Sequence, residues 1–246
     1  MSGLQIVRIA VDPRALAAFA IAEGIDDDDR GYALHLALRR RFGAAAPQPF
    51  RFFEVGPSGA HMLGYAASCG ALADAANLPS LGSSPVFPTA PECKPMPERW
   101  RPGARYAFEV RVRPVVRYGG RMRAARAARE GAWQPRAGEV DAFVAACERA
   151  NGAAVDREAV YRDWLVRRLA GAAEIETAGL RLMRRIRTRR STHRGGTRRV
   201  ESPEALFGGI LTVADETAFA RLLARGIGRH TAFGFGMVIL APPGRS

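Results

Sequence analysis

Ile175–Arg190 reads IETAGLRLMRRIRTRR and Arg198–Val213 reads RRVESPEALFGGILTV, with Ser191–Thr197 (STHRGGT) between them. The Gly195-Gly196 pair marks a turn, so the two runs read as the strands of a hairpin. Both flanks are helical. Upstream, Asp156–Leu169 carries Val160, Trp164, Leu165 and Leu169, a spacing that puts one apolar stripe along a helix. Downstream, Asp215–Ala224 opens with Asp215 and Glu216, acids suited to a helix N-terminus. Further out, Arg105–Arg117 alternates, with Tyr106, Phe108, Val110 and Val112 on one face, and Phe233–Leu240 forms a last strand. Arg121–Arg129 and Glu139–Ala150 are helical or loop insertions. The order is β-α-β-β-α-β, which is ferredoxin-like.

The first hundred residues repeat that order without repeating the sequence. Leu4–Val11 (LQIVRIAV) is a strand ended by Asp12-Pro13, and a short helix over Arg14–Ala22 follows. Gly31–Phe42 (GYALHLALRRRF) is a helix, with Asp29 as candidate N-cap, Gly43 as stop and the stripe Leu34, Leu38, Phe42. Strands follow at Phe50–Val55 and His61–Ala67, joined by the turn Gly56–Gly59; then come a helix at Ala71–Asn77 and a strand near Val86–Cys93. Seven prolines between Pro79 and Pro102 mark a linker or an irregular edge strand. A length of 246 residues suits two domains. The expected fold class is α+β, with two tandem ferredoxin-like (RRM-like) domains at 1–96 and 97–246.

Charge separates the two halves. Residues 1–100 hold 9 basic and 10 acidic side chains, and residues 101–246 hold 28 and 14, so the net +13 lies wholly in the second part. A one-sided excess of this size points to a polyanion, and nucleic acid is the simplest one. Lys94 is the only lysine, so nearly every cation is an arginine. Arg181 opens a run of nine arginines without an acid: Arg184, Arg185, Arg187, Arg189, Arg190, Arg194, Arg198 and Arg199 follow it. On a hairpin, alternation places several on one face, where the guanidinium fork suits phosphate and guanine. The bland alternative is a solvated basic face.

No run of about 18 apolar residues exists to span a membrane, and Asp12, Pro13 and Arg14 interrupt the N-terminus too early for a signal peptide. Cys69, Cys93 and Cys147 are isolated and odd in number, which argues against a zinc site and a disulfide framework. The reading is cytosolic. In RGIGRHTAFGFGMVIL (Arg225–Leu240), Gly226, Gly228, Gly234 and Gly236 let backbone amides approach a phosphate, with Arg229 and His230 as further donors. The loop follows a helix and precedes a strand, the reverse of a dinucleotide fingerprint, and a turn shaped for packing is the rival account. On the Gly31–Phe42 helix, Tyr32, His35 and Arg39 share a face. A histidine flanked by leucines is commonly structural. It is also the usual proton shuttle near neutrality. The acids are too dispersed for a two-metal nuclease.

RGIGRHTAFGFGMVILAP, preceded by LFGGILTVADETAFARLLA, resembles the C-terminal signature of the CasE-type (Cse-type) CRISPR-repeat endonucleases of type I-E systems. GYALHLALRRRFG resembles that family's Tyr-x-x-His helix, with Phe42 seven residues after the histidine. A close type IV relative fits the same motifs. The resemblance implies that His35 and Tyr32 are catalytic, with Arg40 at a basic position used in some members; Arg39 is the neighbour by helical spacing. Thr231 stands where a lysine is often found. The implied activity is cleavage of precursor CRISPR RNA at the repeat stem-loop. The upstream 2′-OH attacks, leaving a 2′,3′-cyclic phosphate and a 5′-OH, with no metal and no cofactor. The implied partners are the stem-loop and other subunits of a CRISPR effector complex, with no membrane. The rival is a non-catalytic RNA-binding subunit, although no K/R-G-F-G-F run stands on a central strand.

Overall fold

The computed structural model describes residues 3–26, 29–55, 59–77, 86–117, 139–191 and 197–244, and for residues 55, 187–191 and 197–200 the backbone alone. The chain opens with β1 (Gln5–Val11), α1 (Pro13–Ala22), α2 (Arg30–Phe42), β2 (Phe50–Val55), β3 (Gly59–Ala66), α3 (Cys69–Asn77) and β4 (Glu92–Pro95). The four strands form one antiparallel sheet in the order β2-β3-β1-β4. Asp12 ends β1 and starts α1, its carboxylate accepting the amides of Arg14 at 2.8 Å and Ala15 at 3.1 Å. Strand alternation buries Val7, Ile9 and Val11, and the apolar face of α2 (Leu34, Leu38 and Phe42) joins them in one core.

The second unit runs β5 (Arg105–Val112), β6 (Val115–Arg117), β7 (Glu139–Asp141), α4 (Ala142–Ala150), α5 (Arg157–Leu169), β8 (Ala173–Ser191), β9 (Thr197–Val213), α6 (Glu216–Arg225) and β10 (Val238–Ala241). Its main sheet has the order β10-β5-β9-β8, and β6 and β7 form a small ribbon beside it. Ranked within each unit, both sheets read 4-1-3-2, the ferredoxin-like order. Val110, Phe207 and Leu211 pack against Tyr161, Trp164 and Leu165 of α5 and Phe219 and Leu223 of α6. The fold is α+β, with two ferredoxin-like units in tandem. Tyr65 of β3 joins the second core and donates to the Val238 carbonyl at 2.7 Å, tying the sheets together.

Four elements differ from the sequence expectation. The strand expected over Arg105–Arg117 breaks after Val112, because Pro114 has no N–H for a ladder. The last strand begins at Val238 rather than Phe233, since Gly234 and Gly236 take positive φ and the chain turns there. The strand placed at Val86–Cys93 is instead Glu92–Pro95, displaced past Pro88 and Pro91 onto the sheet edge. Cys69 and Cys93, read as isolated, are joined in a disulfide with Cα atoms 6.2 Å apart. β3 and β4 both flank β1, which brings the start of α3 to the edge strand; a separation of 24 residues hides this in the sequence. Cys147 is free. Arg121–Arg129 lies outside the described residues, whereas Glu139–Ala150 resolves into β7 and α4. Among the described residues, no helix is long and apolar enough to cross a membrane.

Candidate functional site

The buried stripe of α2 fixes which way its other face points. Tyr32 and His35 stand beside that stripe and meet the loop between α6 and β10. The Phe233 ring lies 5.8 Å from Tyr32 and 5.2 Å from His35, edge-on to both, and 5.9 Å from His230. Gly31 permits this approach: a Cβ there would sit 2.3 Å from the Phe233 carbonyl oxygen. His35 is half-buried, and burial, helped by the nearby Arg39 charge, holds its pKa below the ordinary 6.5. The imidazole is therefore neutral at physiological pH. Arg40, the other candidate cation, faces away. It forms a two-pronged pair with Glu23, the residue that ends α1, both contacts at 2.6 Å, and lies over the Phe19 ring. Of the two arginines, Arg39 is the one whose charge bears on His35.

The crowding at Gly31 is testable. Gly31→Ala forces the Phe233 backbone away from α2. It should cost about 1–3 kcal/mol, as overpacking does, and slow any chemistry that needs His35 in place. Thermal unfolding beside Gly59→Ala, where nothing lies within 4 Å of an added Cβ, measures it. Equal melting of the two variants would remove the close approach from the argument.

The glycine-rich loop is folded mainly on itself. The Ile227 amide donates to Gly236 at 2.8 Å, and the Gly236 amide donates to Arg111 at 2.7 Å. Gly236 has φ +77, and a Cβ on it would lie 2.3 Å from the Ile227 carbonyl oxygen. The amides of Gly226 and Gly236, offered by the sequence reading as phosphate donors, are thus engaged within the chain. Gly228 packs beside Trp164, and Gly234 lies beside Phe50. Arg229 and His230, read as RNA donors, meet Glu139 of β7. Arg229 pairs with it, and His230 Nε2 sits 2.5 Å from its other oxygen. Burial would raise the Glu139 carboxyl, but His230, Arg229 and Arg113 outweigh it and hold the group below its usual range.

Gly31, Phe233 and Gly234 form one end of a cleft of about 850 Å³ between the two sheets. Arg51 and Phe52 of β2 line one wall, and Arg111, Arg184, Arg185 and Glu204 line the other. Glu204, with its side chain 2% exposed, takes both oxygens to Arg111 at 2.7 Å, and Arg184 reaches it at 3.2 Å. Burial would raise this carboxyl as well, yet the two arginines keep it ionised and low. Arg184 and Arg185 thus stand where the cleft meets the hairpin. Past the last β5 partner pair, Val112 with Ala205, β8 and β9 continue alone. Arg187, Arg189, Arg190, Arg198 and Arg199 belong to that extension, described by its backbone, and Arg194 lies outside the described residues.

A family model for CRISPR associated protein matches residues 5–242. The chain belongs to the CRISPR-associated protein family. No curated protein matches it. Solved structures share its fold, among them the following three. Cse3 from Thermus thermophilus, bound to an RNA representing a pre-cleavage complex, aligns with a TM-score of 0.61 at 18% identity, over 98% of this chain and 100% of that one. Cas6e from Escherichia coli K-12 aligns at 0.56 and 20%, over 97% and 99%. A chain of a CRISPR RNA-guided surveillance complex aligns at 0.56 and 16%, over 97% and 99%.

In this CRISPR-associated protein, sequence reasoning missed three residues that build the site. Phe233 was assigned to a strand, Gly31 to a helix start and Glu139 to an insertion. Only the spacing of Phe233 from the loop glycines could have suggested that it turns toward α2, and nothing local marks Glu139.

Proposed function

We propose that this protein is an endoribonuclease that cleaves precursor CRISPR RNA at the repeat stem-loop and keeps its product within an effector complex. The observation that carries the reading is a half-buried His35, its pKa held below 6.5, packed against Phe233, which lines an arginine-rich cleft together with Arg184 and Arg185 of the hairpin. The stem lies against the hairpin and the scissile strand enters the cleft. The 2′-OH upstream of the scissile phosphate attacks phosphorus, and the 5′ oxygen leaves. His35 takes the 2′-OH proton, Tyr32 partners it in returning a proton to the leaving oxygen, and Arg39 offsets charge on the phosphorane-like transition state. Products are a 2′,3′-cyclic phosphate and a 5′-OH. The RNA-bound and surveillance-complex relatives support both substrate and setting.

This chemistry uses only side chains and the substrate's own hydroxyl. Cleavage of a repeat hairpin should therefore persist in excess EDTA and vanish when the scissile nucleotide is 2′-deoxy. Activity that stops in chelator and returns with Mg²⁺ would overturn the reaction class. Tight hairpin binding without cleavage would favour the RNA-binding subunit instead.

A further inference from the structure

We propose that Glu139 is a positioning residue for His35, acting through the loop that carries Phe233. The proposal rests on the endoribonuclease reading for its rate effect, though not for its geometry. Glu139 begins β7, and this element is fixed to the second unit from both sides. Asp141, two residues on, accepts the Phe143 amide at 2.8 Å and the Tyr161 hydroxyl at 2.9 Å, and Arg157 lies 3.5 Å from it. The β6 partner strand is held by Trp164, whose indole N–H donates to the Val115 carbonyl at 3.0 Å. The Glu139 carboxylate therefore extends from a rigid support.

What it grips is not rigid by its own sequence. Four glycines punctuate residues 226–236, and His230, with φ +67, adopts a left-handed backbone that non-glycine residues rarely take. Glu139 meets two consecutive side chains at that point, Arg229 and His230. The next turn is short: the Phe233 amide donates to the His230 carbonyl at 2.8 Å, closing Thr231–Phe233 into one 3-10 turn. That turn delivers the Phe233 ring to Tyr32 and His35. Holding residues 229 and 230 thus holds Phe233, and Phe233 covers the imidazole. Glu139 does not itself touch His35. Its two partners, which the sequence offered to RNA, serve first as its handles.

The charged and titratable groups around His35 are Tyr32 and Arg39 on its own helix, with His230 across Phe233 on the loop. Loosening the loop exposes the imidazole, and its titration midpoint should rise toward the ordinary 6.5. Two measurements on the full chain test this. One is the His35 midpoint by NMR without RNA. The other is single-turnover cleavage of a hairpin RNA beside hairpin affinity. Glu139→Ala should raise the midpoint and slow cleavage by about 10–100-fold, with affinity changed by less than about threefold, as a misplaced catalytic group does. Glu139→Gln keeps a hydrogen-bonding group at His230 and should recover part of the rate. In a His35→Ala background, Glu139→Ala should add nothing, because both act at one place. An unmoved midpoint with an additive loss of rate would overturn the proposal, as would affinity falling in step with rate, which would make Glu139 a support for RNA grip. If the wild-type chain fails to cut the hairpin, the endoribonuclease reading falls while the NMR midpoint still decides the positioning.

Discussion

His35→Ala should lower the rate of hairpin cleavage by about 10²–10⁴, the range typical of a general acid–base group. Hairpin affinity should barely change, because the arginines proposed to bind phosphate lie along the cleft and the hairpin rather than on this ring. The pH profile carries more information than the single rate. Burial, assisted by Arg39, lowers the His35 pKa, so the neutral imidazole persists to a pH below 6.5. A base must be neutral to act. The wild-type rate should climb with pH through that lowered midpoint and level off at a lower pH than an ordinary imidazole would give. If His35 instead supplied the proton to the leaving oxygen as the limiting step, the rate would fall through the same midpoint as pH rises. The arm that rises in the wild type should be missing from the residual activity of His35→Ala. A variant cleaving at the wild-type rate would remove His35 from the mechanism.

The contrast between His35 and its loop partner shows what a sequence can carry. Tyr32 and His35 are three residues apart on one helix, so their shared face follows from the helical period alone. Helix starts are less legible: Asp12, Asp156 and Asp215 each cap the helix that begins beside them, whereas Asp29, the candidate cap, makes no side-chain cap bond at α2. The long hairpin is legible, as that shared face is, because its two strands are near neighbours in sequence; the Gly195-Gly196 turn expected between them lies outside the described residues. Legibility ends where the argument becomes non-local. Phe233 lies about two hundred residues from His35, and only the closure of β10 onto β5 sets it opposite α2. The Cys69–Cys93 bond depends on β3 and β4 flanking the same strand. Glu139 depends on the pairing of β7 with β6, a strand that the break at Pro114 separates from β5. The carboxylates that meet Arg40, read as a catalytic cation, and Arg229 and His230, read as RNA donors, are hidden for a related reason. Their residue type suits RNA, but the fold places a carboxylate against each of them.

Reversing Arg187, Arg189 and Arg190 to glutamate should weaken hairpin binding by about 10²-fold or more at low salt and flatten its salt dependence by about 2–3 log–log units, the loss of three phosphate contacts at about 0.7–0.9 each. The register explains why the effect is concentrated here. From Arg184 opposite Glu204 to Ser191 opposite Thr197, β8 pairs with β9 and, among the described residues, no third strand, a ribbon roughly 24 Å long at about 3.4 Å per residue. Within it Arg189 is paired with Arg199 and Arg190 with Arg198, and like charges directly opposed destabilise a sheet. Such pairs cost the free protein stability, and a polyanion laid along them relieves the repulsion. The substitution sets glutamates opposite Arg199 and Arg198 in the register but also one opposite Glu201, so thermal unfolding should change little. Affinity for a hairpin and for a single strand of equal length, measured across a salt series, supplies the comparison. A ribbon that enters a duplex groove prefers the hairpin, and that preference should shrink in the triple variant. An unchanged preference and slope would make the run a solvated face and move the grip to the Arg51, Arg111 and Arg184 walls of the cleft.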